Sequence, residues 1–363
     1  MRRSTKIAVV LAAATLALAG CAKDDNKSSS GGSTTVLNCD DLTGDGPKVG
    51  IAYDVGGQGD HSFNDSAAAG MKKANEDLGA TCTEGEAQTG EPESAREDRL
   101  RQMADSGYNP VIGIGFSYSE AADNVAPDYP NVNFGVVDGF DPTPNKDGSP
   151  NNDNVAYLDF AANEGSFLVG VAAADTTKSD HVGFVGGVHV DLIKNFEAGY
   201  VAGAKAVNPN IKVDVKYIEE TDLSGFNDPA GGKAAASAMY DNGADVVFQV
   251  AGGSGSGVFD AAVDAGEGNW AIGVDGDQYG SAAADQKPHI LTSMIKHVDV
   301  ATFDMIQSIK DGKPLVGYQT YDLKVGGVGY STSGDFMSQD TIDNIDSYAD
   351  KIKSGQIKVP TTP

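Results

Sequence analysis

The protein has 363 residues, a length that corresponds to about two domains at ~150 residues per domain. Hydrophobic residues make up 40% of the chain, enough to build real cores, and the 46 glycines indicate many tight turns. The 26 basic and 52 acidic residues leave a net charge of −26, which argues against nucleic acid as a partner and against a basic membrane-binding surface.

The first 20 residues have the pattern of a signal peptide. Basic residues precede an apolar run over 7–19, which is too short and wrongly flanked for a stable membrane span. The run ends in the letters LAGC, which resemble the bacterial lipobox, where the chain is cleaved before the cysteine and the thiol receives a diacylglycerol. We therefore expect lipidation at Cys21 and a location at the outer face of the bacterial cytoplasmic membrane. An ordinary secretory signal is the alternative.

Residues 21–44 begin with a polar run rich in Ser and Gly, and we expect a flexible tether there. Two further cysteines follow, Cys39 just before the first predicted strand and Cys82 at the start of the second. An exported protein usually pairs its remaining thiols, and these two strands are commonly neighbours in a parallel sheet. The sequence therefore predicts a structural disulfide between Cys39 and Cys82.

From residue 48 the chain alternates between strand-like and helix-like runs. In the first half the strand-like runs are 48–54, 81–88, 109–116 and 132–139, with helix-like runs at 62–79, 92–107 and 118–130. A loop at 139–154, rich in Pro, Asn and Asp, ends this half. The alternation then resumes, with strand-like runs at 181–187, 212–220, 244–252 and 270–277 separated by helices.

This βαβ alternation is typical of a parallel sheet covered by helices on both faces. We therefore predict an α/β fold with two doubly wound parallel-sheet lobes. The segments after residue 288 fit a chain that crosses between lobes more than once. This places the N-terminal lobe at 45–155 plus 286–325 and the C-terminal lobe at 156–285 plus 326–363. Two such lobes in one exported chain are typical of a binding protein, which we expect to be a monomer.

Ligands of open α/β sheets bind beyond the carboxyl ends of the strands, where this chain carries glycines, two phenylalanines, several carboxylates, an asparagine and a lysine. Carboxylates accept hydrogen bonds from hydroxyl groups, and phenylalanines stack on flat rings. This chemistry suits a sugar, or a sugar that carries an aromatic base, and it suits a phosphate poorly. The positions include Asp54, the loop to Asn64, Phe116, Asp138, Phe226, Gly253, Asp275, Asp277 and Lys296.

Signatures of catalysis and of metal binding are missing from the sequence. The glycine-rich run at 252–257 lacks the Lys-Ser/Thr of a P-loop, and the chain has neither a G-x-S-x-G elbow nor a Cys–His pair. The five histidines are scattered without metal-ligand spacing. We therefore expect no catalytic residue, metal or cofactor, and no enzyme activity.

Five blocks of the sequence, taken together, resemble the basic membrane protein family, the lipoprotein substrate-binding components of ABC importers. The blocks are 54–70, 157–170, 183–209, 226–262 and 271–278, and the resemblance extends over about 45–335. It implies a type I periplasmic-binding-protein fold, a nucleoside in the cleft between the lobes and a membrane permease as partner. The best understood member of the family is a spirochaetal purine nucleoside receptor, so a purine nucleoside is the first expectation.

The resemblance also implies roles for particular residues. The base would lie between Phe63 and Phe226, and Asp138 would meet the ligand. The remaining matches are Asp54 and Asn64 as polar contacts, Asp275 and Lys296 for the ribose hydroxyls, and Gly253 as a backbone contact.

Some of these assignments have alternatives. Ser62 can replace or join Asn64 as a ligand contact, as can His61 and Asp60, and Asp277 competes with Asp275. Ser62 and Asn64 are also candidates for the cap of the helix that begins there. The alternative functions are binding of another small molecule, such as a sugar or free base, and a role as a surface sensor.

Overall fold

The computed structural model describes residues 36–363. The expected signal peptide 1–20, the lipidation site Cys21 and the tether up to residue 35 lie outside the described residues. Over 36–363, none of the helices has the length and apolar character needed to cross a membrane.

Strands and helices alternate along most of the described chain. The strands are β1 Lys48–Tyr53, β2 Thr81–Glu86, β3 Val111–Ile114, β4 Phe134–Val137, β5 Val155–Phe160, β6 His181–Val188, β7 Lys212–Glu219, β8 Val246–Val250, β9 Trp270–Asp275, β10 Ile290–Lys296, β11 Gly317–Tyr321 and β12 Val328–Tyr330. The helices are α1 Phe63–Leu78, α2 Glu93–Asp105, α3 Ser119–Val125, α4 Ala162–Thr176, α5 Asp191–Val207, α6 Pro229–Asp241, α7 Gly255–Ala265, α8 Gln278–Ser281, α9 Val298–Lys310 and α10 Gln339–Lys353.

The strands form two six-stranded sheets, with the orders β11-β5-β4-β3-β1-β2 and β12-β10-β9-β8-β6-β7. We call the units built on these sheets the first lobe and the second lobe. All strand pairs within the two sheets are parallel except β10 with β12. The predicted α/β architecture with two parallel-dominated sheets is confirmed.

The points at which the chain crosses between the lobes differ from the predicted boundaries at 155 and 286. Strand β5 pairs with β4 and β11 in the first sheet, so the first crossing follows Phe160. Strand β10, expected in the N-terminal lobe, pairs with β9 and β12 in the second sheet, so the chain returns only after Lys296. A buried apolar strand has the same sequence pattern in either sheet, so hydrophobicity alone does not reveal which sheet it joins.

The N-terminal end of the described chain packs onto the first lobe. Leu37 and Cys39 are buried in the core, and the predicted disulfide between Cys39 and Cys82 is confirmed. The side chain of Gln58 accepts a hydrogen bond from the Leu37 amide at 2.7 Å and donates one to the Leu37 carbonyl at 2.9 Å. The predicted tether, 21–44, therefore extends too far along the chain, because its last residues belong to the folded lobe.

Small residues allow helix α5 to pack closely against helix α4. A Cβ atom on Gly199 would lie 2.1 Å from the Asn163 carbonyl oxygen, and one on Gly203 would lie 2.0 Å from the Phe167 carbonyl oxygen. Such distances leave no room for any side chain, so both positions require glycine for the helices to approach. This contact sets the position of α5 against α4.

Candidate ligand-binding site

A cavity lies between the lobes, at the carboxyl ends of both sheets, as expected for open parallel sheets. The empty space within it is about 590 Å³, which includes space open to solvent. The first lobe contributes Asp54, Val55, Asp60, Phe63, Asn64, Gly115, Phe116 and Asp138. The second lobe contributes Leu192, Ile193, Phe196, Phe226, Val250, Ala251, Gly252, Gly253, Val274, Asp275 and Lys296.

The cavity unites eight of the nine predicted ligand-binding residues, and Ser62 is the exception. The Ser62 hydroxyl points to the second lobe, where it donates to Asp275 Oδ2 at 2.6 Å and lies 3.3 Å from the Val274 carbonyl oxygen. Ser62 thus joins the two lobes directly, next to a residue that lines the cavity.

Ser62 occupies the N-cap position of helix α1, as predicted, but its side chain makes no capping hydrogen bond, and the carboxylate of Asp60 serves that role instead. This carboxylate accepts hydrogen bonds from the backbone amides of Ser62 (2.9 Å), Asn64 (2.8 Å) and Asp65 (3.2 Å). Burial raises the pKa of Asp60 to about 6, against the opposing effect of these hydrogen bonds. Several short polar side chains compete for the cap in this loop, and the sequence alone does not rank them.

Asp54 is held in place at the end of β1. Its Oδ1 atom accepts hydrogen bonds from the Val55 amide at 2.9 Å and the Ser117 hydroxyl at 3.0 Å. Its own backbone amide donates to Asn64 Oδ1 at 3.0 Å, which orients the side chain of Asn64, the other predicted polar contact in this loop. Burial raises the pKa of Asp54 above its ordinary value. Gly115, at φ +112°, makes room for this carboxylate, because a Cβ atom there would lie 2.2 Å from Asp54 Oδ2.

Lys296 lies between two carboxylates in the lining of the cavity. Its Nζ atom is 2.5 Å from Asp138 Oδ2 and 3.8 Å from Asp275 Oδ1, and all three side chains are buried. Burial raises the pKa of Asp138 to about 6, while the Lys296 ammonium acts in the opposite direction. Asp138 Oδ1 is buried and has no hydrogen-bond partner within the described chain.

Asp138 and Asp275 follow or end their strands with backbone φ angles of +57° and +63°. Side chains other than glycine rarely adopt this left-handed conformation, and Asp is among those that tolerate it. It turns the chain sharply where β4 and β9 end, and both carboxylates line the cavity there. The alternative candidate, Asp277, lies outside the cavity lining, since its carboxylate accepts hydrogen bonds from the hydroxyls of Ser331 and Ser333.

Aromatic rings come into the cavity from both lobes, Phe63 and Phe116 from the first and Phe196 and Phe226 from the second. The Lys296 ammonium lies 4.7 Å from the centre of the Phe63 ring and 5.4 Å from that of Phe196, within the range of cation–π attraction.

Sequence reasoning missed Phe196, together with Leu192 and Ile193, because these residues lie in helix α5 and not at a strand end. The signal was available as an apolar i, i+1, i+4 pattern in the first turns of a helix.

Two glycines of the second lobe position Phe226. A Cβ atom on Gly187 would lie 2.5 Å from Cδ1 of the Phe226 ring, so the ring packs directly on the backbone of β6. Gly252, at φ +55°, turns the chain beside the Phe226 carbonyl, and Gly253 follows in the cavity wall.

The acidic side chains of the site do not form a metal-binding group. Across residues 36–363, no cluster of three or more His, Cys, Asp or Glu side chains has the arrangement needed to hold a metal ion. What the cavity offers a ligand is carboxylate oxygens, an ammonium group, aromatic faces and exposed backbone.

Comparison with known proteins agrees with this architecture. Residues 48–363 match the family model described as ABC transporter substrate-binding protein PnrA-like. Among curated proteins, the chain is 36% identical over 369 residues to the CD4+ T-cell-stimulating antigen of Listeria innocua, covering 98% of this chain and 97% of that protein. It is 35% identical over 376 residues to the ABC transporter nucleoside-binding protein BmpA of Lactococcus lactis, covering 99% of each.

Among solved structures, an ABC transporter solute-binding protein from Aeropyrum pernix K1 superposes with a TM-score of 0.74 at 28% identity, covering 86% of this chain and 94% of that one. The fold is therefore that of a two-lobed solute-binding protein. The family model, named Bmp, covers most of the chain, so the expected basic membrane protein family is confirmed. The chain belongs to the PnrA-like family of ABC transporter substrate-binding proteins.

Proposed function

We propose that the protein binds a nucleoside, with a purine nucleoside as the first candidate, in the cavity between its lobes and delivers it to the permease of an ABC importer. The observation that carries the proposal is the lining of the cavity, which combines aromatic rings from both lobes with the carboxylates of Asp54, Asp138 and Asp275. A nucleoside has the matching parts, a flat base and a ribose with hydroxyl groups.

We expect the base of the nucleoside to be bound by stacking on phenylalanine rings. Alanine substitutions at base-stacking aromatic residues indicate about 1–3 kcal/mol per stacked base. Phe63 and Phe226 come from opposite lobes, so a base that contacts both rings binds the closed form more tightly than the open form. Closure driven by such differential contacts gives the permease a signal that the protein is loaded.

We expect the ribose to be bound by hydrogen bonds from its hydroxyl groups to the carboxylates. Asp138 Oδ1 is buried in the cavity wall without a hydrogen-bond donor, an arrangement that a ligand hydroxyl would satisfy. Asp275 and Lys296 lie beside it and supply further acceptors and donors. A phosphate group fits poorly here, because three carboxylates would repel it.

The Lactococcus lactis relative is named a nucleoside-binding protein, which gives further support for the ligand class. We propose in addition that Cys21 carries the lipid that holds the protein on the outer face of the cytoplasmic membrane. Labelling with radioactive palmitate tests this part, since a Cys21→Ser variant should lose the label.

Thermal unfolding with a panel of ligands tests the proposed function. At least one of adenosine, guanosine, inosine, uridine and cytidine should raise the melting temperature by several degrees, because a ligand at 100 times its Kd adds about 2.7 kcal/mol of stability. Ribose and free adenine serve as matched controls that carry one half of the ligand each. Native mass spectrometry beforehand shows whether the purified protein already holds a ligand.

Failure of all five nucleosides with ligand-free protein would contradict the proposal. Stabilisation by a monosaccharide or by a free base alone would favour the alternative ligands on the same scaffold. Stabilisation by both purine and pyrimidine nucleosides would keep the function and remove the preference for purines.

A further inference from the structure

Two glutamine side chains are buried behind the cavity, although neither lines it. Gln249 has no exposed surface and Gln278 is 3% exposed. Buried amides are found where each polar atom has a partner, because an unsatisfied one destabilises the fold. The partners of these two amides connect the lobes.

Gln278 makes one of the contacts between the lobes. Its Nε2 atom donates a hydrogen bond to the backbone carbonyl of His61, in the loop of the first lobe, at 3.2 Å. The next residue of that loop, Ser62, donates to Asp275. The loop that leads into Phe63, the first residue of α1, is therefore docked on the second lobe through two adjacent residues.

The other end of the Gln278 amide is tied into the second lobe. Its Oε1 atom accepts hydrogen bonds from the Val274 amide at 2.9 Å and from Gln249 Nε2 at 2.7 Å. Gln249 Oε1 in turn accepts from the Ala251 amide at 3.0 Å. Val274 and Ala251 both line the cavity, at the ends of β9 and β8.

Two glycines provide the space for this pair of amides. A Cβ atom on Gly273 would lie 2.7 Å from Gln278 Oε1, and one on Gly255 would lie 2.3 Å from the amide carbon of Gln249. The backbones of β9 and α7 thus approach both amides closely, which fixes their positions as well as their partners.

We infer that Gln278 is a positioning residue that couples docking of the first-lobe loop to the alignment of the second-lobe cavity wall, with Gln249 as its inner link. When the lobes close, the His61 carbonyl completes the hydrogen bonds of the Gln278 amide. The same amide then holds the ends of β8 and β9 where a ligand meets them. The inference depends on the proposed function only for the identity of the ligand used to test it.

The Gln278→Glu variant separates the two ends of the amide. It keeps an oxygen for Val274 and Gln249 but places a second oxygen, in place of the donor, against the His61 carbonyl. The probe is whichever of the five nucleosides most stabilises the wild type, followed by stopped-flow fluorescence at pH 8. We expect dissociation to become about tenfold faster, since one partly buried hydrogen bond between the lobes is lost, while association stays within a factor of about two.

Two further variants complete the kinetic test. Gln249→Met breaks the inner link and leaves the contact with His61, and it should also speed dissociation. Gln286→Glu is the matched control, because this glutamine lies in the same lobe and bonds Asp260 at the surface, away from the cavity. Unchanged dissociation in Gln278→Glu, or equal effects of that variant and the Gln286 control, would overturn the inference.

Small-angle scattering of the ligand-free protein tests the docking without a nucleoside. An open two-lobed protein has a larger radius of gyration, so Gln278→Glu should exceed the wild type and Gln249→Met should equal it. If no nucleoside binds the wild type, the proposed function fails and this comparison alone decides, with equal radii overturning the inference. If Gln278→Glu does not fold, Gln278→Met, which removes the same donor without adding charge, takes its place with the same expectations.

Discussion

Lys296 Nζ lies 2.5 Å from Asp138 Oδ2, and this ion pair joins the second lobe to the first in the lining of the interlobe cavity. The side chains are 2% and 4% exposed, so water screens the pair very little. Asp275 adds a second carboxylate 3.8 Å from the same ammonium. The Lys296 ammonium therefore offsets the repulsion between the two buried carboxylates of Asp138 and Asp275.

Removal of this ammonium should destabilise the protein strongly. Lys296→Met leaves two buried carboxylates without a cation, and breaking a buried pair in this way typically lowers stability by about 3–5 kcal/mol. Urea unfolding at pH 7 measures the change, and Lys72→Met, at an exposed lysine of α1, is the matched control. The double variant Lys296→Met/Asp138→Asn should recover part of the loss, and no recovery would contradict the role given to the pair.

The raised pKa of Asp138 should make stability depend on pH. Its pKa is about 6 in the folded protein against an ordinary value of 3.8. The folded form therefore keeps a proton that the unfolded chain releases between these values. This contribution to stability is complete below the ordinary value and is lost as the pH rises through about 6.

Comparison with Asp138→Asn isolates this effect, because the amide does not titrate. The free energy of unfolding of the wild type minus that of the variant should fall by about 2–3 kcal/mol between pH 4 and pH 7, as expected for a shift of about two pKa units. Urea titrations at half-unit intervals measure it. Asp153→Asn, at an exposed loop position, should show no such trend, and a difference that is flat or rises with pH would refute the assignment.

The two phenylalanines proposed for the base should each matter for binding. Phe63→Ala and Phe226→Ala should each weaken nucleoside affinity by about 10- to 100-fold, because each removes one stacking face. Isothermal titration calorimetry measures the affinity. Phe140→Ala is the matched control, since that ring is half exposed and outside the cavity lining. Normal affinity in both cavity variants would show that the base binds elsewhere.

The sequence predicted the fold well because two kinds of local evidence indicate the same structure. These are the spacing of hydrophobic residues and the residues that begin or end helices and strands. Helix α1, for example, ends at Leu78 before Gly79, whose φ of +68° is the left-handed conformation that glycine favours. The rule that ligands bind at the carboxyl ends of parallel strands also selected Asp54, Asp138, Asp275 and Lys296. These residues are far apart in sequence, and all four line one cavity.

Other features depend on tertiary contacts that no local pattern encodes. Strand β10 joins the second sheet because of its pairing with β9 and β12, while its mostly buried sequence would fit either sheet. Ser62 contacts Asp275 only because the lobes meet there, 213 residues apart in the chain. Phe196 lies at the cavity because α5 packs closely on α4 through glycines. The sequence shows these glycines only as small residues and does not reveal which helix they contact.

A glycine outside the cavity should control ligand binding through Phe226. In Gly187→Ala the new methyl group would occupy space now filled by the Phe226 ring, which must move. We expect nucleoside affinity to fall by about tenfold or more, as for partial loss of one stacking face. Gly329→Ala is the matched control, because a Cβ atom there meets nothing within 4 Å. Calorimetry that shows equal affinities for the two variants would exclude a positioning role for Gly187.

The disulfide should stabilise the first lobe and support the ligand loop at the same time. Cys39 and Cys82 are 43 residues apart in sequence, and closing a loop of that length contributes about 4 kcal/mol in the chain-entropy model. Cys39 also holds the segment in which Leu37 pairs with Gln58, a residue of the loop between β1 and α1. Loss of the bridge should therefore lower stability and, through that loop, ligand affinity.

The Cys39→Ser/Cys82→Ser variant and the wild type, each with and without reductant, test both effects. Urea unfolding should show a loss of about 2–4 kcal/mol for the variant and for the reduced wild type, with no effect of reductant on the variant. Gln58→Ala separates the two roles, because it keeps the bridge but removes the pairing with Leu37, together with an exposed hydrogen bond from Gln58 to Glu84. It should reduce nucleoside affinity while changing stability by only about 1 kcal/mol. Full affinity in Gln58→Ala would limit the disulfide to a stabilising role, because the segment it anchors would then have no influence on the ligand loop.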